Sequence, residues 1–157
     1  MIGKKTETVE TFWQACRKKH RIEATSYHAY TFADPSLALY HDTLLDLVAA
    51  GKKRATAHLL RDFEESAIVE RKVGDYWVVL DTGNEPRYLV QISDVAILPF
   101  NRVEATFAAR EGEGDSSLAY WQDVHRDYFQ QQCARWGIAW SEDYPTVCEG
   151  FTLVEKA

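Results

Sequence analysis

The sequence predicts an α+β fold built on a small curved sheet or β-barrel, with about five or six strands and flanking helices. Three observations lead there. Strand-like and helix-like stretches interleave irregularly along the chain. Its 157 residues make one domain, 1–157, able to bury roughly two thirds of its unfolded surface without a disulfide or metal staple. No internal repeat, long linker or low-complexity tract interrupts it.

The elements follow in order. Residues 6–20 read as an amphipathic helix packed on the domain, with Val9, Phe12, Trp13 and Cys16 at i, i+3, i+4 and i+7. Thr6 is its expected N-cap, and Arg17, Lys18, Lys19 and His20 suit the negative end of its dipole. Residues 25–32 are aromatic and β-branched and suit a strand. Asp34-Pro35-Ser36 breaks it and starts a helix, capped by Asp34 or Ser36, with Leu37, Tyr40, Leu44, Leu47 and Val48 as its apolar stripe. Gly51 ends that helix at a position suited to positive φ.

From Lys53 to Arg61 the pattern is extended, and residues 62–72 are charged and read as loop or a short helical turn. Tyr76 to Leu80 is a buried strand, and Tyr88 to Leu98 is one strand or two, stopped by Pro99. Asn101 is the expected cap of a short helix holding Val103, Phe107 and Ala108. A glycine-rich acidic turn, Glu111-Gly112-Glu113-Gly114-Asp115, cannot continue it. Asp115 or Ser116 starts the next helix, with Leu118, Trp121, Val124 or His125, and Tyr128 on a stripe, and residues 146–154 form a last strand.

Composition narrows the function. The net charge of -6 excludes a generic duplex binder, which needs a broad basic face. A small ligand, or a short single strand held in one basic pocket, remains compatible. Cys16, Cys133 and Cys148 are scattered, odd in number and without metal spacing. They read as buried thiols in a reducing compartment. With a charged N-terminus and no apolar run near membrane-spanning length, the expectation is a cytoplasmic protein with no membrane partner.

Against this acidic background stands Gly51-Lys52-Lys53-Arg54-Ala55-Thr56-Ala57-His58, with no acidic residue as far as Arg61. It gathers two amines, a guanidinium, a hydroxyl and an imidazole. Arg54 and Lys52 suit phosphate or a stacked base. His58 lies two residues past Thr56, on the same strand face. Glu111, Glu113 and Asp115 alternate like the opening of a calcium loop, but its twelfth position is Gln122, so no resident metal or cofactor is expected beyond a weakly held divalent cation. His125 follows Trp121 at i+4 on one helix face, where it can touch a substrate or shuttle a proton. Trp77 and Tyr88 read as core.

The ordered series resembles the ASCH family of the PUA-like RNA-binding superfamily. The resemblance rests on G-x-K-x-x-T at Gly51, Lys53 and Thr56, then Val78-Val79-Leu80-Asp81, Pro99-Phe100, and the Glu111–Asp115 turn. Trp121 with His125, Tyr128-Phe129, and Val147-Cys148-Glu149-Gly150-Phe151 complete it. It covers roughly residues 27 to 155. It implies a PUA-like barrel with a cleft beside the motif, and a nucleoside or single-stranded RNA as partner. Some members remove the acetyl group from N4-acetylcytidine, and others are described as ribonucleases. The implied catalytic set is Lys53, Thr56 and Glu111, with Glu113 as rival to Glu111. Lys52, Arg54, His58, Glu113 and His125 are candidate substrate-binding residues. The expected activity is hydrolysis of an N4-acetylcytidine-type amide, with ribonuclease action or non-catalytic RNA binding as alternatives.

Amide hydrolysis needs a nucleophile, a base and a home for oxyanion charge. Thr56 offers the hydroxyl. Lys53 is a base only if neutral, and a nearby Glu111 would oppose that. In the other allotment Glu111 activates water and Lys53 stabilises the oxyanion. A regular strand would put residues 53 and 56 on opposite faces, so a bend, or a strand beginning after Lys53, is required.

Overall fold

The computed structural model describes residues 1–37 and 40–157. Its centre is a five-stranded sheet curled into a half-barrel, in the order β1-β3-β4-β5-β2. The strands are β1 (His28–Tyr30), β2 (Ala55–Leu59), β3 (Tyr76–Leu80), β4 (Pro86–Pro99) and β5 (Pro145–Lys156). β1 pairs with β3 in parallel and the remaining pairs are antiparallel. The long β4–β5 ladder shifts register at Leu89/Val90 and again between Ile92 and Asp94. Such bulges bend a strand and increase its twist, which curls the sheet. The single long β4 settles the choice between one strand and two.

Helix α1 (Glu7–His20) starts where Thr6 accepts a hydrogen bond from Val9 N at 3.4 Å. It lays Val9, Trp13 and Cys16 against Ala29, Val78, Leu80 and Leu89. Trp77 and Tyr88 are core residues, as expected.

The next helix, α2 (His41–Ala49), begins later than the sequence suggested. Asp34 Oδ1 is occupied in a local turn, accepting from Ser36 N at 2.9 Å and Ser36 Oγ at 2.6 Å, so neither residue caps a helix. Residues 38 and 39, inside the expected helix, lie outside the described residues. α2 buries Leu44, Leu45 and Val48 beneath the sheet. Gly51 follows at φ 75°, the left-handed conformation expected there.

The extended stretch after Lys53 is shorter than expected: β2 gives way at Leu60 to the short helix α3 (Leu60–Glu65). Asn101 caps nothing. It lies in a 3-10 turn, Phe100–Arg102, and α4 (Ala105–Glu111) follows with Glu104 at its N-cap. α5 (Leu118–Arg135) is capped by Ser117, whose hydroxyl accepts from Tyr120 N at 3.1 Å. Asp115 instead accepts from Ser117 N, two residues before the cap. Trp121, Phe129 and Cys133 of α5 pack with Phe100, Val103, Ala108, Ala57 and Leu59. All three cysteines are free and buried. Among the described residues, no helix is long and apolar enough to cross a membrane.

Candidate functional site

The chain reaches the site by a tight turn. Lys52 N and Lys53 N both donate to Leu47 O, at 2.9 and 3.0 Å, which folds the chain back from α2. Arg54 N donates to Arg110 O at 2.7 Å, and Phe151 N donates to Arg54 O at 2.9 Å. This clamps the turn between α4 and β5. β2 starts only at Ala55, after Lys53, so the alternation that would separate Lys53 from Thr56 does not apply. Both side chains line one small cavity.

The opposite wall is the acidic turn. α4 ends at Glu111, and Gly112 takes φ 67°. A Cβ there would stand 2.4 Å from Lys52 O, so only glycine lets the backbone come so close. Glu111 and Glu113 therefore straddle Gly112 and both reach the same amine. Lys53 Nζ donates to Glu111 Oε2 at 2.6 Å and to Glu113 Oε1 at 2.8 Å. Lys53 and Glu111 are each 1% exposed.

Helix α5 completes the cluster. Trp121 Nε1 donates to Glu111 Oε1 at 2.9 Å. The His125 ring stacks on Trp121, with centroids 4.2 Å apart and planes at 19°. Its Nδ1 lies 2.9 Å from the Trp121 carbonyl oxygen. A carbonyl only accepts, so Nδ1 carries a proton. Nε2 is 3.4 Å from Glu111 Oε1.

These contacts set the protonation states. Burial works against the Lys53 ammonium, but Glu111 and Glu113 together outweigh it and raise its pKa. Burial likewise works against the Glu111 carboxylate, and Lys53 and His125 overcome it, holding its pKa well below the usual range. Burial lowers the His125 pKa, and Glu111 with help from Glu113 more than restores it, for a net rise. The resting cluster is an ammonium between two carboxylates. Lys53 is thus not a neutral base at rest, which favours the allotment giving it charge stabilisation.

The cavity has a volume of about 30 Å³, room for roughly one or two waters. Phe32, Tyr40, Leu44 and Tyr128 form its apolar wall. A ligand larger than a few waters needs this cavity to widen, and Tyr40, 37% exposed, is the most exposed residue of its lining. A larger cavity of about 190 Å³ lies between α3 and the end of α5, lined by Leu59, Trp136, Ile138 and Tyr144. The charged residues of its lining, Arg61 and Glu64, are both exposed, so the smaller cavity is the candidate site. One oxygen each of Glu111 and Glu113 and one nitrogen of His125 lie within 4.8 Å of one another, a spacing that would suit a metal. Here the Lys53 ammonium supplies the positive charge that the two carboxylates require.

Comparison with known proteins places this fold in a family. The ASCH domain family model matches residues 28–155. This chain belongs to the ASCH domain family. It is 29% identical to protein EF3133 from Enterococcus faecalis V583, over 94% of this chain and 88% of that one, with a TM-score of 0.82. To an ASCH domain from Lactobacillus crispatus JV V101 it is 32% identical, over 94% and 91% of the two chains, with a TM-score of 0.77. The hypothetical protein PH0355, 15% identical over 82% and 99%, shares the fold at a TM-score of 0.53. No curated protein matches the chain.

Within this ASCH domain, the sequence candidates divide. Lys53, Thr56, Glu111, Glu113 and His125 line one cavity. Lys52 is exposed, Arg54 is half-buried, and neither lines it, because the turn after Gly51 sends their side chains elsewhere. His58 is buried further along β2, edge-on to Phe63, and does not line it. Burial, then the positive charge of Arg71, holds its pKa well below the ordinary value. Sequence reasoning missed the roles of Phe32, Tyr40 and Tyr128, whose aromatic character signalled core equally well. It also missed the Trp121 donation to Glu111, which the i+4 pairing with His125 hinted at only by placing the two on one face.

Proposed function

We propose that this cavity is the active site of a hydrolase that binds a nucleoside, or one residue of a single-stranded RNA, and cleaves an acyl amide on its base. The reading rests on the ASCH family, for which an RNA-type ligand has been proposed. One observation carries it: a buried ammonium shared by Glu111 and Glu113 in a cavity that also holds the Thr56 side chain.

Thr56 Oγ1 adds to the acyl carbon of an N4-acetylcytidine-type amide. The Lys53 ammonium stabilises the oxyanion in a site shielded from water, where fixed charge acts strongly. Glu111 is held by Lys53, Trp121 and His125 and serves as the anchor. Glu113 accepts only from Lys53 among the described residues, and it takes up the threonine proton. The products are the free base amine and acetate.

Phosphodiester cleavage is less well supported. The Lys53 charge is already outnumbered by two carboxylates, and Lys52 and Arg54 stand outside the cavity. An anionic phosphate would enter a site whose cations, Lys53 and His125, are both already paired with carboxylates. The test is chromatography of N4-acetylcytidine incubated with purified protein. Wild type should yield cytidine and acetate, and Lys53→Ala should not. Equal, negligible conversion by both would defeat the proposal.

A further inference from the structure

We infer that His125 is the general acid of this site, donating the proton on Nε2 to the nitrogen that leaves the acyl carbon. The inference rests on the hydrolase reading above and adds a catalytic residue to it.

The geometry leaves the ring one task. Nδ1–H is committed to the Trp121 carbonyl at 2.9 Å, so a second proton is carried by Nε2 alone. The ring cannot swing freely. Trp121 covers one face at 4.2 Å, and Phe129 stands edge-on at 5.6 Å. His125 is 8% exposed and lines the cavity beside Thr56 and Lys53. An imidazole with Nδ1 pinned to a carbonyl and Nε2 held only by a long contact, 3.4 Å from Glu111 Oε1, in a ring that lines the cavity, is the arrangement of a directional proton donor.

With Glu113 keeping the threonine proton until Thr56 leaves in the second half, elimination among the other groups points the same way. The groups facing His125 are Glu111 at the end of α4, Glu113 in the following turn, and Lys53 before β2, with Tyr40 and Tyr128 on the cavity wall. Lys53 keeps its proton because two carboxylates hold it. Glu111 stays ionised because Lys53 and His125 hold it so. The phenols of Tyr40 and Tyr128 are raised by burial and keep their protons. The ordinary histidine value lies near neutrality, and Glu111 moves His125 upward from it, so it is protonated there and able to release.

The proton balance closes. In the first half, Thr56 gives its hydroxyl proton to Glu113 as the C–O bond forms. The C–N bond then breaks, its electron pair moves to nitrogen, and His125 supplies the proton that makes the leaving group a neutral amine. In the second half, water adds to the acyl-threonine ester and passes one proton to His125 Nε2. Thr56 leaves with the proton held by Glu113, and the acid product is free.

A leaving group that needs no proton provides the test. N4-acetylcytidine requires protonation of its nitrogen, whereas p-nitrophenyl acetate does not. With wild type, kcat on the amide should fall as pH rises above the His125 pKa, while kcat on the activated ester shows no such limb. His125→Gln should lose roughly 10²–10⁴-fold in kcat on the amide, with KM little changed, and a clearly smaller factor on the ester, whose leaving group departs unprotonated and for which only the water step uses the ring. Thr56→Val should lose both. Equal losses on amide and ester in His125→Gln, or the same basic limb on both substrates in wild type, would overturn the role of His125 and leave the hydrolase reading intact. Wild type inert on both substrates would remove the hydrolase reading and this inference with it. The wild-type pH profiles decide the matter even if His125→Gln fails to fold.

Discussion

Two buried ionic clusters flank the same pair of strands, and among the described residues a cavity opens at the first of them. In the first, Lys53 is shared by Glu111 and Glu113. In the second, Arg71 donates to Glu149 from Nε at 3.0 Å and Nη2 at 2.6 Å. Its guanidinium lies 4.0 Å from the Trp77 ring centroid and 5.3 Å from that of Phe63. Glu149 pairs in register with Thr56 across β5 and β2. The Arg71 fork fits one carboxylate and is covered by rings on its faces, so it ties the segment between α3 and β3 to β5. The Lys53 amine is a point charge held from one side, which leaves Thr56 and His125 beside open space. Burial and pairing are alike in the two. Access to a void separates a candidate catalytic cluster from a structural staple.

That contrast can be broken by removing each cation. Arg71→Met leaves Glu149 buried and uncompensated, and should cost about 3–5 kcal/mol in denaturant unfolding. Arg71→Met/Glu149→Gln should recover most of that stability and keep turnover of N4-acetylcytidine. Lys53→Met should lower turnover by roughly 10²–10³-fold. Here the companion change Lys53→Met/Glu111→Gln should recover stability without recovering turnover. If both double variants behaved alike in the activity assay, the distinction between the clusters would be lost.

A smaller effect tests how the acidic turn is set. Gly112→Ala puts a side chain in the left-handed region and against Lys52 O. It should cost about 1–3 kcal/mol in thermal unfolding and lower turnover, because Glu111 and Glu113 can no longer both reach Lys53.

The two histidines sharpen the comparison with least disturbance. His58 has a folded pKa well below its unfolded value, so the stability it gives is present above about pH 6.5 and is lost as pH falls. His125 has a raised folded pKa, so its contribution is full below about pH 6.5 and is lost as pH rises through the folded value. Proton NMR of the imidazole C–H signals should show His125 titrating above the ordinary value and His58 far below it. Overlapping curves would contradict the charge assignments of both clusters.

Much of this was legible residue by residue. The stripe from Val9 to Cys16 and the Thr6 cap are local signals, and α1 follows them. Asp34 misled because its side chain closes a turn, which uses the same oxygen that capping would. Ser117 rather than its neighbours caps α5, a shift of one residue that spacing does not resolve. In the site, Lys53, Thr56 and Glu111 were visible through their ordered motif. Glu113 was visible as a rival to Glu111 and as a candidate binding residue, yet both hold the amine, because Gly112 turns the chain between them. Lys52, Arg54 and His58 were candidate binding residues by their place in the same basic stretch, and the turn after Gly51 takes the first two, and the run of β2 the third, away from the cavity. The pairing of Arg71 with Glu149 spans 78 positions and leaves no periodic trace. Its one hint is a carboxylate inside the apolar Val147–Phe151 stretch.

The most direct measurement is acetate release from N4-acetylcytidine by wild type and by Thr56→Val, with unfolding midpoints recorded for both. Wild type should turn over repeatedly, and the valine variant should fold normally and release almost none. No acetate from wild type, or equal rates from both proteins, would contradict a hydrolase centred on this cavity.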